Sequence, residues 1–354
     1  SLDSRDMTEK RVHPWEVQEG TVVLTPEAVS TLSDTENAAM GCFLGAAVGD
    51  TAGAALEFKL SEDITPEQLA DALLLKGGGP HQVAPGQITD DTELAIALAA
   101  ALSTSEGWDH KTVLSNYQQW MMSRPFDIGG TCQRAFTTEN ASPNAASMSN
   151  GALMRAAPLA IVGHRMTVDD LAALASNDAR ISHPNIVCAD ASSIWVIACG
   201  HLILNANVPT RARDAVAAAT AWANKHACEE VQSRVREAFD PSVPLVPFHP
   251  KIGWVRIAFS HALRHLVLES PFQVALRDTL AGGGDTDTNA SIVCGLIGAL
   301  WGLKASENSI PTRAWQAVVT CDTRTAEGVR CRGRMASYSG ARIPGLCRRL
   351  CSIA

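Results

Sequence analysis

The chain has 354 residues, a formal net charge of −8 and a composition that is 46% hydrophobic but only 5% aromatic. Alanine is abundant and alternating β-branched runs are rare. This favours helices, because alanine has the lowest helix cost whereas strands prefer Val, Ile, Thr and aromatic residues. The acidic balance argues against a general nucleic-acid binder, since such proteins present basic surfaces to phosphates. We therefore expect an all-α protein that binds no nucleic acid.

Cysteine usage and hydropathy indicate a cytoplasmic protein. The ten cysteines include no Cys-x-x-Cys pair, and most lie among apolar helical residues, where reduced thiols are common. The first residues lack the apolar segment of a signal peptide, and the longest uncharged apolar stretch, 292–303, is too short to cross a bilayer. We expect no membrane partner.

Composition divides the chain into an N-terminal extension at 1–35, a helical domain at 36–320 and a tail at 321–354. Residues 1–6 precede Met7 and are expected to be foreign to the natural protein. The tail carries seven arginines against one glutamate, which favours a disordered or surface-lying basic end over a specific anion site. Periodicity predicts helices over 39–58, 91–105, 110–122, 144–163, 167–178, 185–206, 210–226, 229–239, 254–268, 271–281, 287–303 and 310–320.

Two acidic boxes lie almost two hundred residues apart, each where a loop turns into an apolar helix. They contain Thr89, Asp90 and Asp91, and then Asp285, Asp287 and Thr288 after a triple glycine. Either box alone could be a helix N-cap, since hydroxyls and carboxylates satisfy free amides. Four aspartates exceed what capping needs, however, and carboxylate and hydroxyl oxygens are the ligands that hard divalent cations prefer. Together the boxes predict a site for two cations about 3.5–4 Å apart.

The segment between the extension and the first box combines small residues with two acids. Its glycines recur every four residues, at Gly41, Gly45, Gly49 and Gly53. On a helix they form a smooth stripe for close packing against another helix. Asp50 and Glu57, seven residues apart, would point the same way on a continuous helix. Each could be a solvated acid or, near the cations, could orient or deprotonate water.

Two further segments carry polar residues with open interpretations. The turn Ser149, Asn150 and Gly151 could receive a diphosphate at a helix N-terminus, or could be a plain cap with the following Arg155 in an internal ion pair. Asp127, before two glycines, could contact a substrate or form an isolated turn.

A lone histidine and an aromatic stripe are ambiguous in the same way. His183 precedes Pro184 at a helix edge, and a lone histidine is more often structural than a ligand. The stripe of Trp108, Tyr117 and Trp120 favours a core role over a base-stacking platform.

Six segments in order, GDTAGAALEF, QITDDTELA, FDIGGTC, SNGALMR, SHPN and GGGDTDTNA, resemble the ADP-ribosylglycohydrolase family, most closely its bacterial dinitrogenase-reductase-activating branch. The resemblance runs from about Gly41 to Trp301 and implies an orthogonal multi-helix fold with two Mg²⁺ or Mn²⁺ ions in a cleft. The metal ligands that it implies are Thr89, Asp90, Asp91, Asp285, Asp287 and Thr288. The catalytic residues that it implies are Glu57, Asp91 and Asp285. The substrate-binding residues that it implies are Asp127 on the arginine side, Ser149, Asn150 and Gly151 at the diphosphate, His183 at the ADP-ribose, and Gly283 and Gly284.

The activity implied by the resemblance is removal of ADP-ribose from arginine side chains of modified proteins. Two alternatives stay open. The protein could cleave another ADP-ribose linkage, on serine, DNA or a metabolite. It could also be an immunity protein that binds and blocks an ADP-ribosylating toxin through residues 7–35, which lie outside the family's core, although the same residues could be an unstructured leader.

Overall fold

The computed structural model describes residues 24–323 and 333–354. Within these ranges the chain forms helices and isolated β-bridges but no β-strands, so the prediction of an all-α protein is confirmed. The α-helices are α1 (Pro26–Ser30), α2 (Asp34–Gly53), α3 (Pro66–Leu73), α4 (Asp90–Ser105), α5 (His110–Met122), α6 (Gly130–Thr138), α7 (Ala157–Val162), α8 (Val168–Ser182), α9 (Ile186–Leu204), α10 (Arg211–His226), α11 (Glu229–Phe239), α12 (Val255–Val267), α13 (Phe272–Ala281), α14 (Thr286–Trp301), α15 (Thr312–Thr320) and α16 (Ile343–Ile353). Short 3-10 helices lie at Ser61–Asp63, Ser142–Asn144, Ala336–Tyr338 and Gly340–Arg342.

Helices α2 and α14 form the central pair, and the glycine stripe lets their backbones touch. A Cβ atom added at Gly45 would lie 2.4 Å from the carbonyl oxygen of Cys294, and one added at Gly49 would lie 2.2 Å from that of Ala290. The two helices run antiparallel, so the C-terminal end of α2 meets the N-terminal end of α14. Both are buried almost all round, as expected for helices at the centre of a core.

Helix α9 is the one helix of the described residues that is long and apolar enough to cross a membrane by length and composition. Within the fold, however, 89% of its apolar window is buried. Its Trp195 donates an indole N–H to the carbonyl oxygen of Ile292 in α14, at 3.1 Å. Six cysteines of the described residues, Cys42, Cys132, Cys188, Cys199, Cys294 and Cys347, are buried free thiols.

Most predicted helices are present, but two of them end early or start late. The helix predicted over 39–58 begins at Asp34 and ends at Gly53. The helix predicted over 144–163 is helical only in α7. The preceding residues pair instead with a distant loop, since Asn150 donates its amide to the carbonyl oxygen of Gly253 at 3.0 Å. The short helices α1, α3 and α6 were not predicted, because each spans fewer than ten residues, too few to show a sustained period.

The described part of the N-terminal extension packs onto the core. Leu24, Val29 and Leu32 are buried in the main apolar cluster. Ser33 and Glu36 form a reciprocal capping box that starts α2. Residues 24–35 are therefore no free arm, and residues 7–23 lie outside the described residues.

The expectation of a disordered or surface-lying tail is wrong for residues 333–354. Helix α16 buries Ile343, Leu346, Cys347 and Leu350 against α2, α4 and α7. Arg334, which precedes this helix in the chain, lies inside the fold and forms an ion pair with Glu93. The apolar positions of this helix are spaced for one buried face, a pattern that the arginine content obscured. Three of the seven arginines, Arg324, Arg330 and Arg332, lie outside the described residues.

Candidate active site

The two acidic boxes, far apart in sequence, meet at the end of the central helix pair. Asp91 on α4 and Asp287 on α14 are both buried. Burial raises the pKa of both well above the usual aspartate range, and repulsion from neighbouring carboxylates, including Asp285, raises it further. Asp90 shows the same upward shift for the same causes, with burial the largest. The fold thus concentrates negative charge at two helix N-termini, whose dipoles partly offset it.

Asp50 places the first box by capping α4 from a different helix. Its carboxylate accepts the amide and hydroxyl of Thr89 at 3.0 and 2.8 Å, and the amide and hydroxyl of Thr92 at 3.2 and 2.5 Å. Burial raises its pKa to about 6 even though these hydrogen bonds lower it. Asp50 is fully buried, so the interpretation of it as a solvated acid is wrong, whereas a role near the cations stays a prediction. It fixes the position of Thr89 and the start of α4.

Glu57 reaches the site from a turn beyond the end of α2, not from the helix itself. The turn is fixed by backbone pairing, because Phe58 donates to the carbonyl oxygen of Gly284 at 2.7 Å and Gly284 donates to that of Lys59 at 2.8 Å. At Gly283, with φ of 70°, a Cβ atom would lie 2.5 Å from the oxygen of Lys59. The close approach that these glycines permit is therefore to the Glu57 segment of the chain.

The amides of both predicted substrate-binding glycines donate hydrogen bonds within the fold. Gly284 donates to Lys59, and Gly283 donates to the carbonyl oxygen of Leu280 at 3.1 Å. Both amides are thus engaged within the fold, and a contact of Gly283 and Gly284 with a substrate stays a prediction. Their observed role is to bring Glu57 beside the second acidic box.

Glu57, Asp285 and Asp287 form a tight carboxylate group, whose ligand oxygens all lie within 4.8 Å of one another. Burial raises the pKa of Glu57 to about 9, and repulsion from Asp127, Asp285 and Asp50 adds to the shift. A carboxyl group with this pKa keeps a proton at neutral pH unless a cation compensates its charge. The carboxylates of Glu57, Asp285 and Asp287 are thus suited to hold a cation, and Glu57 is suited to transfer a proton.

The donor set fits divalent cations. Oδ1 of Asp91 and Oε2 of Glu57 are buried carboxylate oxygens without a hydrogen-bond partner. Such orphaned acceptors are costly in a protein interior and call for a partner. The surrounding donors are hard carboxylate and hydroxyl oxygens, including Thr89 and the buried Thr288. These features suit Mg²⁺ or Mn²⁺ alike.

The turn predicted to receive a diphosphate lies beside the second box. Asn150 donates its side-chain amide to Oδ2 of Asp285 at 2.8 Å, so it orients that carboxylate. Gly151 packs against the ring of His183, where a Cβ atom would lie 3.1 Å from Cε1. A diphosphate contact of Asn150 and Gly151 stays a prediction.

The ring of His183 is fully buried. Its Nε2 contacts the hydroxyl of Ser149 at 2.8 Å, and its Nδ1 contacts that of Ser182 at 2.9 Å. Burial lowers its pKa to about 3, with help from Arg155 and Arg134, so the ring is neutral. Ser149, which contacts this ring, is partly exposed, and contact of His183 with an ADP-ribose stays a prediction.

Arg155 forms an internal ion pair, which was one of the two interpretations that the sequence left open for this segment. Its guanidinium, fully buried, donates to Oδ2 of Asp178 at 3.0 Å and to the carbonyl oxygen of Gly151 at 3.3 Å. Tyr117 donates to the same aspartate at 2.6 Å and is buried, like Trp120. The prediction of a core role is confirmed for Tyr117 and Trp120, while Trp108 is partly buried and packs against the core. The network supports the turn that carries Asn150.

His81 is a residue of the site that the sequence did not reveal. It lies in the loop between α3 and α4, with Nε2 at 3.3 Å from Oε2 of Glu57 and 3.4 Å from Oδ2 of Asp127. The pKa of Asp127 is raised by burial and lowered by His81. A signal existed, since a histidine in a glycine-rich loop stands eight residues before Thr89.

Comparison with known proteins agrees with this arrangement. The model of the ADP-ribosylglycohydrolase family matches residues 31–339. The chain is 30% identical to ADP-ribosyl-[dinitrogen reductase] glycohydrolase of Rhodospirillum rubrum over 278 residues, which cover 75% of this chain and 86% of that protein. It is 32% identical to ADP-ribosylarginine hydrolase Tri1 of Pseudomonas putida over 164 residues, covering 42% of this chain and 40% of that protein.

A solved structure described as an ADP-ribosylglycohydrolase-related protein complex has the same fold, with a TM-score of 0.70 at 24% identity. The match covers 90% of this chain and 100% of the solved chain. The family match spans both acidic boxes, the Glu57 turn and the Asn150 turn. The chain therefore belongs to the ADP-ribosylglycohydrolase family and is a hydrolase of ADP-ribose linkages.

Proposed function

We propose that this protein removes ADP-ribose from arginine side chains of modified proteins, with two divalent cations, Mg²⁺ or Mn²⁺, as cofactors. The observation that carries the proposal is the junction of the two acidic boxes with Glu57, where buried carboxylate oxygens lack partners. Arginine as the modified residue is supported by Asp127, a half-buried carboxylate at the edge of this group. A carboxylate binds a guanidinium through paired hydrogen bonds.

The six predicted ligands, Thr89, Asp90, Asp91, Asp285, Asp287 and Thr288, would hold the cations. When bound, the cations supply Lewis-acid polarisation of ribose hydroxyls and a lower pKa for water. Asp50 and Asn150 keep Thr89 and Asp285 in place through the hydrogen bonds described above. Ligands held in this way lose little conformational freedom when they bind a cation.

The protein's own groups account for the remaining chemistry. Cleavage between ribose C1″ and a guanidinium nitrogen builds positive oxocarbenium character at the sugar, which the buried carboxylates stabilise. Glu57, at the edge of the group and with a raised pKa, would transfer the proton as acid or base. Asp127 would hold the guanidinium, and the Ser149 to Gly151 turn would face the diphosphate.

The test is the choice of linkage. The full chain is given matched peptides ADP-ribosylated on arginine or on serine, with Mg²⁺, and release of ADP-ribose is measured. We expect the arginine conjugate to be the better substrate by kcat/KM, and Asp127→Asn to raise KM for it, by about tenfold or more if one charge-assisted pair worth roughly 1.5–3 kcal/mol is lost.

Asp109→Asn is the control, because Asp109 is an exposed helix cap far from the boxes. The arginine assignment would be contradicted if ADP-ribose were released from the serine conjugate at an equal or higher rate and if Asp127→Asn did not change that rate. Hydrolysis of ADP-ribose linkages in general would then remain.

A further inference from the structure

The group formed by Glu57, His81 and Asp127 has a geometry that ordinary hydrogen bonding does not explain. His81 Nε2 lies 3.3 Å from the carboxylate of Glu57 and 3.4 Å from that of Asp127. A charge-assisted hydrogen bond is typically shorter, at about 2.7–2.9 Å. Neither His81 Nε2 nor Glu57 Oε2 has a hydrogen-bond partner of acceptable geometry, and both atoms are buried. Three ligand atoms thus converge at the distances of loose ion pairs, and two of the three lack a hydrogen bond.

The same distances suit a shared cation. In a tetrahedral zinc site with bonds of about 2.0–2.2 Å, neighbouring ligand atoms lie about 3.3–3.6 Å apart. The two measured separations, 3.3 and 3.4 Å, fall in this range. The ligand atoms of all three residues lie within 4.8 Å of one another.

The three side chains differ in exposure, as expected for a site that is closed at one end and open to solvent at the other. The side chain of Glu57 is 6% exposed, whereas those of His81 and Asp127 are 19% and 20% exposed. A cation could therefore enter past His81 and Asp127 and keep a water molecule as its fourth ligand. The unpartnered oxygen of Glu57 lies at the closed end.

We propose that Glu57, His81 and Asp127 form a third cation site, which takes Zn²⁺ and inhibits the enzyme. The imidazole ligand favours Zn²⁺ over Mg²⁺, which prefers an all-oxygen shell. A cation held by Oε2 of Glu57 prevents that carboxylate from transferring a proton. At Asp127 it replaces the guanidinium. Zinc binding is independent of the proposed function, while the inhibition rests on it.

Binding is tested by equilibrium dialysis of the full chain against micromolar Zn²⁺ in excess Mg²⁺, with metal analysis of the protein. We expect His81→Gln to bind one Zn²⁺ per chain fewer than the wild type. His226→Gln is the matched control, since His226 lies 3.5 Å from Asp169 on the surface, and it should bind as the wild type does. Exposed thiols contribute equally in all three proteins, so the difference counts the site. Equal stoichiometry in His81→Gln and the wild type would overturn the proposal.

Inhibition is tested in the ADP-ribose release assay, with each protein compared with its own rate without zinc. We expect the Zn²⁺ concentration for half-inhibition to rise by about 10- to 100-fold or more in His81→Gln, because changes around a metal site typically cost that much affinity. It should not change in His226→Gln. An unaltered Mg²⁺ midpoint in His81→Gln would show that the two-cation site is intact.

The outcomes separate the two claims. Zinc inhibition that is equal in His81→Gln and the wild type would overturn the proposed site and leave the hydrolase activity standing. If His81→Gln binds one zinc fewer but the wild-type protein releases no ADP-ribose from any conjugate, the proposed function is contradicted and the cation site stands.

Discussion

Replacement of Gly49 by alanine tests whether the packing of α2 on α14 positions the acidic boxes. The new Cβ would lie 2.2 Å from the carbonyl oxygen and 2.4 Å from the carbonyl carbon of Ala290, against 3.4–4 Å for ordinary contact. Both atoms belong to the backbone of α14, so the helices must move apart by about 1 Å. Overpacking of this kind costs about 1–3 kcal/mol, and the gain in helix propensity returns about 1 kcal/mol.

Gly200→Ala is the matched control, because it also adds one methyl group inside a buried helix. Its nearest neighbour, at 2.7 Å, is Cδ2 of Leu171, the end of a flexible side chain, and the nearest backbone atom is 3.8 Å away. The propensity gain is the same in both variants. The difference between them therefore compares a clash with backbone with a clash that a side chain can relieve, and we expect Gly49→Ala to be less stable by about 1–3 kcal/mol.

The assay combines urea unfolding with ADP-ribose release. A shift of about 1 Å at a catalytic site can cost on the order of 100-fold in rate, so Gly49→Ala should lose activity well beyond its loss of stability. Gly200→Ala should keep the wild-type rate. Equal stability and equal activity of the two variants would refute the argument that backbone contact between α2 and α14 sets the geometry of the site.

Three further predictions concern capping, pH and the tail. Asp50→Asn should raise the Mg²⁺ midpoint of activity by about 10- to 100-fold, because it removes an acceptor that places Thr89, whereas the exposed cap variant Asp109→Asn should leave the midpoint unchanged. Because burial raises the pKa of Glu57 from 4.5 to about 9, the folded state binds this proton more tightly than the unfolded state. In EDTA the urea midpoint should therefore fall as pH rises through that window, and saturating Mg²⁺ should remove the fall; a midpoint that rises with pH in EDTA would contradict this. Arg334→Met should cost about 3–5 kcal/mol by leaving the buried Glu93 unpaired, and the double variant with Glu93→Leu should recover part of it in the same urea assay.

The sequence predicted the central chemistry because its signals are local. Each acidic box is a short run of hard oxygen ligands at a helix start, and the glycine stripe has a fixed period. The resemblance supplied the order of the boxes and the class of reaction. The helix pair then follows from packing, since four glycines on one face leave room only for another backbone.

The missed features depend on contacts between distant segments. Nothing in the local pattern shows that Asp50 caps α4, because its partners lie 39 and 42 residues away. The Glu57 turn is fixed by pairing with Gly284, which periodicity cannot reveal. His81 was overlooked because its partners come from two other segments.

For the tail, the arginine-rich composition led to a wrong prediction, although the spacing of its apolar residues indicates a helix with one buried face. Its arginines suggested a solvated end, yet Arg334 donates two hydrogen bonds to Glu93, at 2.7 and 2.6 Å, inside the fold. The expectation that residues 7–35 block a toxin stays a prediction, as does the cytoplasmic location. Leu24, Val29 and Leu32 belong to the core, so a deletion that tests toxin binding should remove residues 7–23 only.

The most direct test of the account measures bound Mn²⁺ and ADP-ribose release in the same samples of the full chain. We expect the stripped wild-type protein to be inactive, and activity to return as cations bind at the two acidic boxes. Asp287→Asn should lose a cation together with the activity, while Asp109→Asn should lose neither. Full release of ADP-ribose by the wild-type protein stripped of cations would contradict the central claim.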